Sequence, residues 1–472
     1  MEHAPSLNGS ETKSFSSTPS TPSSTTSRVG TGDPGRALPP GPPLPAWLAT
    51  LGYLADSYRF FASLRSRYGS TFTVRSANGP LVVTGDPALA RDVFAAPAET
   101  FRVWAAASLA PFLGETSVLL AHGERHRRDR KLLTPPFHGA RMREYGVLIR
   151  DATLTHIEKL PLGRVTPVQP TMQAISLDVI LRAVFGVYEP AEIRAWNKVI
   201  LADVRAATPP IIVFEWLRKD FGGHGPWSRF KSARADFDAK LFGEIRRRRA
   251  ESREGTDILG LILASRYEDG SAMTDEEVRD QLITLVVAGH ETTATSLAWS
   301  IEWLSRLPLV RDRLTAEIDA LGDAPSPEAI AAAPYLDAFC TEALRVYPIV
   351  SDVTREVLVP FKLGSWSLPT GTALSVATTL LHTDEKTYPE PHQFKPERWL
   401  DRKPSPFAYT PFGGGARRCL GAAFATYEMK IALATIVRQL AFEPARRAPT
   451  RPTRQNITIG PSKGVLVVAR RR

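Results

Sequence analysis

The chain has 472 residues, of which 43% are hydrophobic and 23% are charged, and its formal net charge at pH 7 is +10. This composition supplies a large apolar core and excludes a mostly disordered protein. Two cysteines can form at most one disulfide, so a disulfide-stabilised scaffold is excluded and nothing indicates an oxidising compartment. The basic residues lie in scattered runs without interleaved aromatic side chains, so we expect no nucleic-acid partner.

The first 37 residues differ in composition from the rest of the chain. Apart from Phe15, residues 14–27 are all serine, threonine or proline, which offers no apolar face to bury. We therefore expect residues 1–37 to form a disordered tail and residues 38–472 to form one domain. No secretory signal is recognisable, and five prolines between positions 39 and 45 leave too short an apolar run for the ~20 residues of a membrane-spanning helix. We expect a cytoplasmic, soluble monomer without an integral membrane anchor.

The first part of this domain is predicted to be helical, with one early hairpin. Residues 44–68 have the composition of a helix, and residues 69–83 then alternate between apolar and polar side chains, which predicts a hairpin. Most of the sequence from 84 to 348 carries helical periodicity, interrupted by pairs of proline or glycine.

The last part combines short strands with one more helix. Residues 349–382 are rich in valine, threonine and proline, and residues 363–366 predict a hairpin turn. Residues 420–440 predict a helix, and a strand pair near 456–459 and 465–468 closes the chain. The sequence therefore predicts a mainly α fold with small β-sheets.

The best-defined element is a long helix from Thr274 to about Leu307. Thr274 and Glu277 have the spacing of a capping box, and Pro308 marks the end. Its apolar centre is interrupted by residues 289–293, which are Gly-His-Glu-Thr-Thr. A solvated face or a polar contact between helices would explain this insertion, but polar groups in a core helix cost stability, so we favour a functional site.

A second unusual segment is the loop at residues 411–421, which contains three consecutive glycines before Cys419. Glycines allow a close approach of the backbone and positive φ. A cysteine at a helix start beside arginines is a place where we expect the thiol pKa to be lowered. The residues alone fit an inert buried cysteine and a reactive or metal-ligating thiolate equally well.

The loop resembles the haem-thiolate loop of cytochromes P450, which has the pattern F-x-x-G-x-R-x-C-x-G. Its five fixed positions are here Phe412, Gly415, Arg417, Cys419 and Gly421. Other segments resemble further motifs of the family in the same order: His126-x-x-x-Arg130, the oxygen-activating stretch at 288–293, E-x-x-R at 342–345 and P-E-R-W at 396–399. The resemblance covers roughly residues 40–470.

The resemblance implies a cytochrome P450 fold in which the long helix crosses the face of a haem b group. Cys419 would be the axial ligand of the haem iron, and backbone N–H groups after it would stabilise the thiolate. The residues that would hold the haem propionates are His126, Arg130, Arg355 and Arg417. On the residues alone, His126 and Arg130 also fit an ordinary charged helix face.

The resemblance also implies that O2 is the co-substrate and indicates which residues activate it. Thr292 would donate a hydrogen bond to oxygen, and Glu291 would relay protons from solvent. Gly289 would leave space for O2 because it has no side chain.

Three further residues are expected to support the fold. Glu342 and Arg345 have the i, i+3 spacing of an ordinary helix ion pair. The resemblance adds Arg398 and makes the three a buried charge network behind the cysteine loop.

By this resemblance we expect a haem-thiolate monooxygenase that inserts one atom of O2 into an apolar substrate. We expect electrons from a separate ferredoxin and its NAD(P)H-dependent reductase, as in soluble bacterial members, with Arg128, Arg417 and Arg418 facing the acidic partner. The alternatives are a peroxide-driven peroxygenase of the same fold and a non-catalytic haem protein that senses a gas. Glu291 and Thr292 disfavour a peroxygenase, because that subgroup replaces the acid–alcohol pair. The presence of both the thiolate and this proton relay disfavours a non-catalytic sensor.

The substrate is the least determined expectation. Residues 221–227 together with the long helix resemble bacterial members that hydroxylate or epoxidise fatty acids, alkanes or terpenoids. By family position, the candidate pocket residues are Phe101, Val103, Val286, Ile349, Val350 and Ile457.

Overall fold

The computed structural model describes residues 38–76, 78–137, 139, 141–251, 255–403, 405–455 and 458–472. The predicted tail and the predicted pocket residue Ile457 lie outside the described residues. The fold is dominated by helices with several small sheets, which confirms the predicted fold class.

The helices, in chain order, are α1 (Ala46–Ala55), α2 (Ser57–Tyr68), α3 (Pro87–Ala95), α4 (Ala106–Leu113), α5 (Gly123–Leu133), α6 (Arg141–Ile157), α7 (Gln169–Phe185), α8 (Pro190–Ala206), α9 (Pro209–Val213), α10 (Pro226–Glu251), α11 (Ile258–Ala264), α12 (Asp275–Arg306), α13 (Pro308–Ala320), α14 (Pro327–Ala331), α15 (Pro334–Val346), α16 (Thr378–His382) and α17 (Ala422–Gln439). The strands are β1 (Thr71–Ser76), β2 (Gly79–Thr84), β3 (Phe101–Val103), β4 (Val165–Pro167), β5 (Val353–Val357), β6 (Phe361–Leu363), β7 (Trp366–Leu368), β8 (Ala373–Val376), β9 (Leu440–Pro444), β10 (Pro452–Gln455), β11 (Thr458–Pro461) and β12 (Leu466–Arg471).

The strands form four small sheets. The largest has the order β1-β2-β8-β5-β3, in which β2 and β8 are parallel and the other neighbours are antiparallel. A three-stranded sheet has the order β4-β12-β9, and β6–β7 and β10–β11 are separate antiparallel pairs. The large sheet places β5, which carries Arg355, between β3 and β8.

The predicted helix at 44–68 is two helices. Asp56 between them has an extended backbone (φ −158°, ψ 89°), and its side chain accepts a hydrogen bond from the N–H of Arg59 and so caps α2. An aspartate at this position satisfies a backbone N–H of the first turn of α2, which lowers the free-energy cost of interrupting the helix. The hairpins predicted at 69–83 and 363–366 are present as β1–β2 and β6–β7.

The predicted pairing of the last two strands is wrong. β11 pairs with β10, whereas β12 pairs with β4 and β9. Between β11 and β12, Lys463 (φ 63°) and Val465 (φ 54°) have left-handed backbone conformations that turn the chain away from a hairpin. The strands were visible in the sequence, but β11 pairs with the strand just before it, and one of the two partners of β12, β4, lies about 300 residues away.

The long central helix α12 begins and ends where the sequence predicts. The side chain of Thr274 accepts a hydrogen bond from the N–H of Glu277, and the Glu277 carboxylate accepts one from the N–H of Thr274. Its 32 residues span about 48 Å. It packs against α7 and α17, and most of its residues are buried.

Among the described residues, no single helix is both long enough and apolar enough to cross a membrane. The pair α7 and α8 reaches that length and apolar content jointly but is bent by 106°.

Candidate functional site

The cysteine loop is closed by its own backbone and packed on α3. The N–H of Cys419 donates to the carbonyl of Phe412 at 2.9 Å. Gly415 has φ +66°, and a Cβ there would lie 2.2 Å from the carbonyl oxygen of Phe94. Only glycine therefore permits this approach of the loop to α3. The loop ends where α17 begins at Ala422.

The two cysteines lie in opposite environments. Cys340 is fully buried in α15, and burial raises the pKa of its thiol to about 12. Cys419 is exposed, although the protein around its sulfur still desolvates the thiol and raises its pKa. The N–H of Gly421 and the charges of Arg130 and Arg418 oppose this rise. The lowering contributions that the sequence predicts are therefore present, but the predicted net lowering of the thiol pKa is wrong, because desolvation outweighs the charges.

Four basic side chains from three separate parts of the chain come together beside this loop. They are His126 and Arg130 of α5, Arg355 of β5 and Arg417 of the cysteine loop. Burial and the other cations lower the pKa of His126 to about 4 and of Arg355 and Arg417 to about 10. Within the described part of the chain, none of the four forms an ion pair with a carboxylate.

Partly buried cations without acidic partners are unfavourable by themselves. Arg417 donates to the carbonyls of Leu119 and Ala121 at 3.3 and 2.6 Å, which holds its guanidinium in place without neutralising it. Arg130 interacts electrostatically with both Arg417 and Cys419, so the cations and the exposed thiol form one site. These residues fit haem, which would bring two carboxylates to the cations and an iron to the thiolate.

The centre of α12 is accessible, whereas the helix is mostly buried on either side of it. Ala288 is exposed, and Val287, Glu291 and Thr292 are half-buried, between helical turns that are mostly buried. The hydroxyl of Thr292 donates to the carbonyl of Ala288 at 2.7 Å. Burial raises the pKa of Glu291, whose carboxylate accepts a hydrogen bond from Thr458 of β11 at 3.4 Å.

The expected role of Gly289 is wrong. A Cβ at Gly289 would lie 2.9 Å from Cδ1 of Ile180 in α7. Its missing side chain therefore makes room for the neighbouring helix. Ala288 is the residue that faces the accessible space.

The three residues expected to support the fold are in direct contact. Arg345 donates to both carboxylate oxygens of Glu342 at 2.7 and 2.8 Å, and Arg398 donates to one of them at 3.0 Å. The indole N–H of Trp399 donates to the other oxygen at 2.9 Å. Arg345 also donates to the carbonyls of His382, Pro391 and Gln393. Every charge in this network therefore has partners.

The five predicted pocket residues that the structure describes have different surroundings. Val103 lies in a small apolar cluster of α4 residues that includes Val287 of α12, and Val350 is 37% exposed. Phe101 packs on Phe361 at the large sheet, and Val286 is in the main core. Ile349 is buried, and its carbonyl accepts from the N–H of Ile459 at 2.7 Å. Val287 is therefore the better candidate on α12.

Two buried residues that the sequence analysis did not identify hold segments next to the site in place. His382 accepts a hydrogen bond from the N–H of Thr410 at Nε2, so Nδ1 donates to the carbonyl of Arg345 and the ring is neutral. Buried Asp352 accepts from Tyr53, Ser351 and Ser375 and fixes the segment before β5. No local sequence signal marks either residue, because their partners lie in distant segments.

The basic residues of α5 that face solvent are mostly paired. Arg125 and Arg127 contact acids, Lys131 pairs with Glu268, and Arg128 lies 3.7 Å from Asp269 and over the ring of Tyr267. In contrast, exposed Arg418 has no ion pair among the described residues, although it lies next to Cys419.

Comparison with known proteins gives consistent matches. The family model described as cytochrome P450 matches residues 39–468. Cytochrome P450 138 of Mycobacterium bovis is 36% identical over 446 residues, which cover 92% of this chain and 97% of that protein. Cytochrome P450 135B1 of the same organism is 36% identical over 447 residues, covering 92% and 91%. The structure of cyanobacterial CYP120A1 with retinoic acid bound matches with a TM-score of 0.80 at 25% identity, covering 92% of this chain and 100% of that one.

Proposed function

This chain belongs to the cytochrome P450 family and is a haem monooxygenase with O2 as co-substrate, and we propose that Cys419 ligates the iron and that an apolar small molecule is the substrate. The observation that carries the site assignment is the exposed thiol beside four basic groups that have no acidic partner among the described residues. Bound haem supplies the redox chemistry, at an iron to which a thiolate ligand donates electron density.

The chain's own residues have separate tasks. His126, Arg130 and Arg355 bind the propionates and orient the cofactor. The N–H of Gly421 stabilises the sulfur of Cys419. Thr292 presents its hydroxyl from the accessible turn of α12, and the raised pKa of Glu291 lets that carboxyl hold a proton and pass it on.

For the substrate we propose a fatty acid, alkane or terpenoid that is hydroxylated or epoxidised. The apolar cluster of α4 with Val103 and Val287 supports an apolar ligand at the accessible turn of α12. The structural neighbour CYP120A1 was solved with retinoic acid, a terpenoid acid, which is in line with this class.

For the electron donor we propose a ferredoxin with its NAD(P)H-dependent reductase. Arg418 supports this partner, because it is exposed beside Cys419 and has no acid of its own among the described residues. Arg128 contributes less than expected, since Asp269 and the Tyr267 ring already engage it.

The ligand assignment is tested by exchanging each cysteine in turn. Cys419→Ser should abolish the red-shifted absorbance that a thiolate gives to the reduced carbon monoxide complex, and Cys340→Ser should leave it unchanged. Cys340 is the matched control because its thiol is fully buried among apolar side chains. The reverse result would show that Cys419 is not the ligand.

The oxygen-activation assignment is tested by Thr292→Ala. The variant should retain haem and fold, because alanine favours a helix. It should release more hydrogen peroxide per NAD(P)H consumed, since proton delivery to oxygen loses its hydrogen-bonding guide. Fatty acids and sesquiterpenes that perturb the haem spectrum serve as substrates. Unchanged coupling would contradict the role of Thr292, and full activity with peroxide alone would indicate a peroxygenase.

A further inference from the structure

The loop between α4 and α5 is attached to α12 by three polar side chains of that helix. Asp280 accepts from the N–H and the hydroxyl of Thr116 at 2.9 and 2.7 Å. The side-chain amide of Gln281 accepts from the N–H of Val118 at 2.8 Å and donates to the carbonyl of Thr116 at 2.7 Å. Together these bonds satisfy the backbone N–H groups of Thr116 and Val118 and the carbonyl of Thr116 with side chains of α12.

A third contact completes the attachment one turn further along α12. The hydroxyls of Thr284 and Ser117 lie 2.7 Å apart, and Thr284 donates to the carbonyl of Asp280 at 2.7 Å. Because a hydroxyl has one hydrogen, Ser117 is the donor to Thr284. Asp280, Gln281, Thr284 and Ser117 are all buried, so water has little access to the bond between the two hydroxyls.

The backbone of the loop is shaped for this attachment. Gly114, the first residue after α4, has φ +88°, and a Cβ there would lie 2.0 Å from the carboxylate of Asp280. On the other side of Asp280, Arg279 donates to it at 2.6 Å and also binds Asp238 of α10 with two bonds. The carboxylate therefore links the loop after α4 to α12, and Arg279 extends this connection to α10.

The attached loop positions the apolar wall beside the accessible turn of α12. Leu113 at the end of α4 and Leu120 after the loop pack in one cluster with Val103 and with Val287. Val287 immediately precedes Ala288, the residue whose carbonyl accepts from Thr292. A shift of the loop away from α12 would therefore widen the space next to Ala288.

We propose that Asp280, Gln281 and Thr284 form a polar clamp that fixes loop 114–118 and α4 against α12 and thereby sets the size of ligand that fits beside Ala288 and Thr292. These are positioning residues, since they act through α4. The inference rests on the proposed haem site, because the space beside Ala288 receives ligands only if haem lies there.

The test compares two azoles that bind haem iron through nitrogen, imidazole and the bulky clotrimazole. In Thr284→Val, which removes one hydroxyl with little change of shape, the ratio of the clotrimazole Kd to the imidazole Kd should fall by about tenfold. Imidazole itself should bind as in the unmodified protein. Thr153→Val is the matched control, since Thr153 is also buried in a helix and donates to a carbonyl four residues earlier.

Ser117→Ala supplies an independent variant from the other side of the same bond. It should reproduce the fall in the ratio, and the double variant should add little to it, because both changes remove one interaction. A ratio that stays constant or rises in both variants would overturn the clamp, whatever happens to the melting temperature. If imidazole fails to give a nitrogen-ligated haem spectrum in the unmodified protein, the proposed function fails instead.

Discussion

Arg345 and Arg355 lie ten residues apart in the chain and are both enclosed by protein, yet their surroundings are opposite. Arg345 reaches both oxygens of Glu342 and three backbone carbonyls. Arg355 has one weak bond to the carbonyl of Thr354 at 3.2 Å among the described residues, and it interacts electrostatically with the cation Arg417. Burial and that neighbour lower the pKa of Arg355 to about 10.

We interpret Arg345 as a charge that stabilises the fold and Arg355 as a charge that binds a ligand. In the network of Arg345, an acid and several carbonyls compensate the desolvation of every cation, so the protein holds it together without help. At Arg355, we propose that a bound anion provides the compensation. The two regions should therefore respond in opposite ways when a cation is removed.

Among the variants that test this comparison, Arg345→Met should have the largest effect, a loss of folding free energy. The change leaves Glu342 buried with fewer cationic partners, which costs about 3–5 kcal/mol of folding free energy. We expect little folded protein at 37 °C, as measured by circular dichroism and by urea unfolding. Arg313→Met is the control, since its pair with Glu397 is exposed and worth less than about 1 kcal/mol. Equal stability of the two variants would contradict the fold-supporting role of the network.

Glu428 in α17 is the acidic counterpart, a buried carboxyl that has no cationic partner among the described residues. Burial raises its pKa from 4.5 to about 8. The folded state then binds a proton that the unfolded state releases, so the stability from this group is present below pH 4.5 and is lost as pH rises towards 8. The slope is at most about 1.4 kcal/mol per pH unit.

Glu428→Gln should remove this slope and raise the urea midpoint at pH 8 far more than at pH 5. The amide keeps the shape of the side chain and carries no ionisable proton. A shift of the midpoint that is the same at both pH values would show that the carboxyl does not titrate in this window.

Arg355→Met should lower haem retention without destabilising the apoprotein. Loss of a hydrogen bond to a charged propionate costs about 1.5–3 kcal/mol, which corresponds to faster transfer of haem to a scavenging apoglobin by about tenfold or more. The melting temperature of the apoprotein should stay the same or rise, because an uncompensated cation is removed. Arg102→Met on the neighbouring strand is the control, since Arg102 already pairs with Glu356. A drop in apoprotein stability with normal haem retention would show that Arg355, like Arg345, stabilises the fold and does not bind haem.

The smallest effect is expected for removal of residues 1–37. Their composition offers no apolar face that would repay the ~1–2 kcal/mol per residue of ordering the backbone. A chain that starts at Leu38 should keep its melting temperature and its haem spectrum. A fall of several degrees would show that the tail packs on the domain.

Local features of this protein could be predicted from sequence because their partners lie within a few residues. The capping box of α12, its end at Pro308 and the two hairpins depend on neighbouring positions and are present as predicted. The glycines before Cys419 indicated a close backbone approach, although the neighbour at that approach, Phe94, is far away in the chain. The break at Asp56 was missed because the same residue type also occurs inside helices.

The sequence by itself determined the helical class, the position of the central helix and a cysteine loop whose residues identify the family. Tertiary structure alone decided that Gly289 serves the packing of α7, that β12 pairs with β4 and β9, and that desolvation raises the pKa of Cys419. It also decided that loop 114–118 is bound to α12. The physical reason is that hydrogen bonds within a turn follow from residue order, whereas burial and long-range contacts depend on which distant segments the fold brings together.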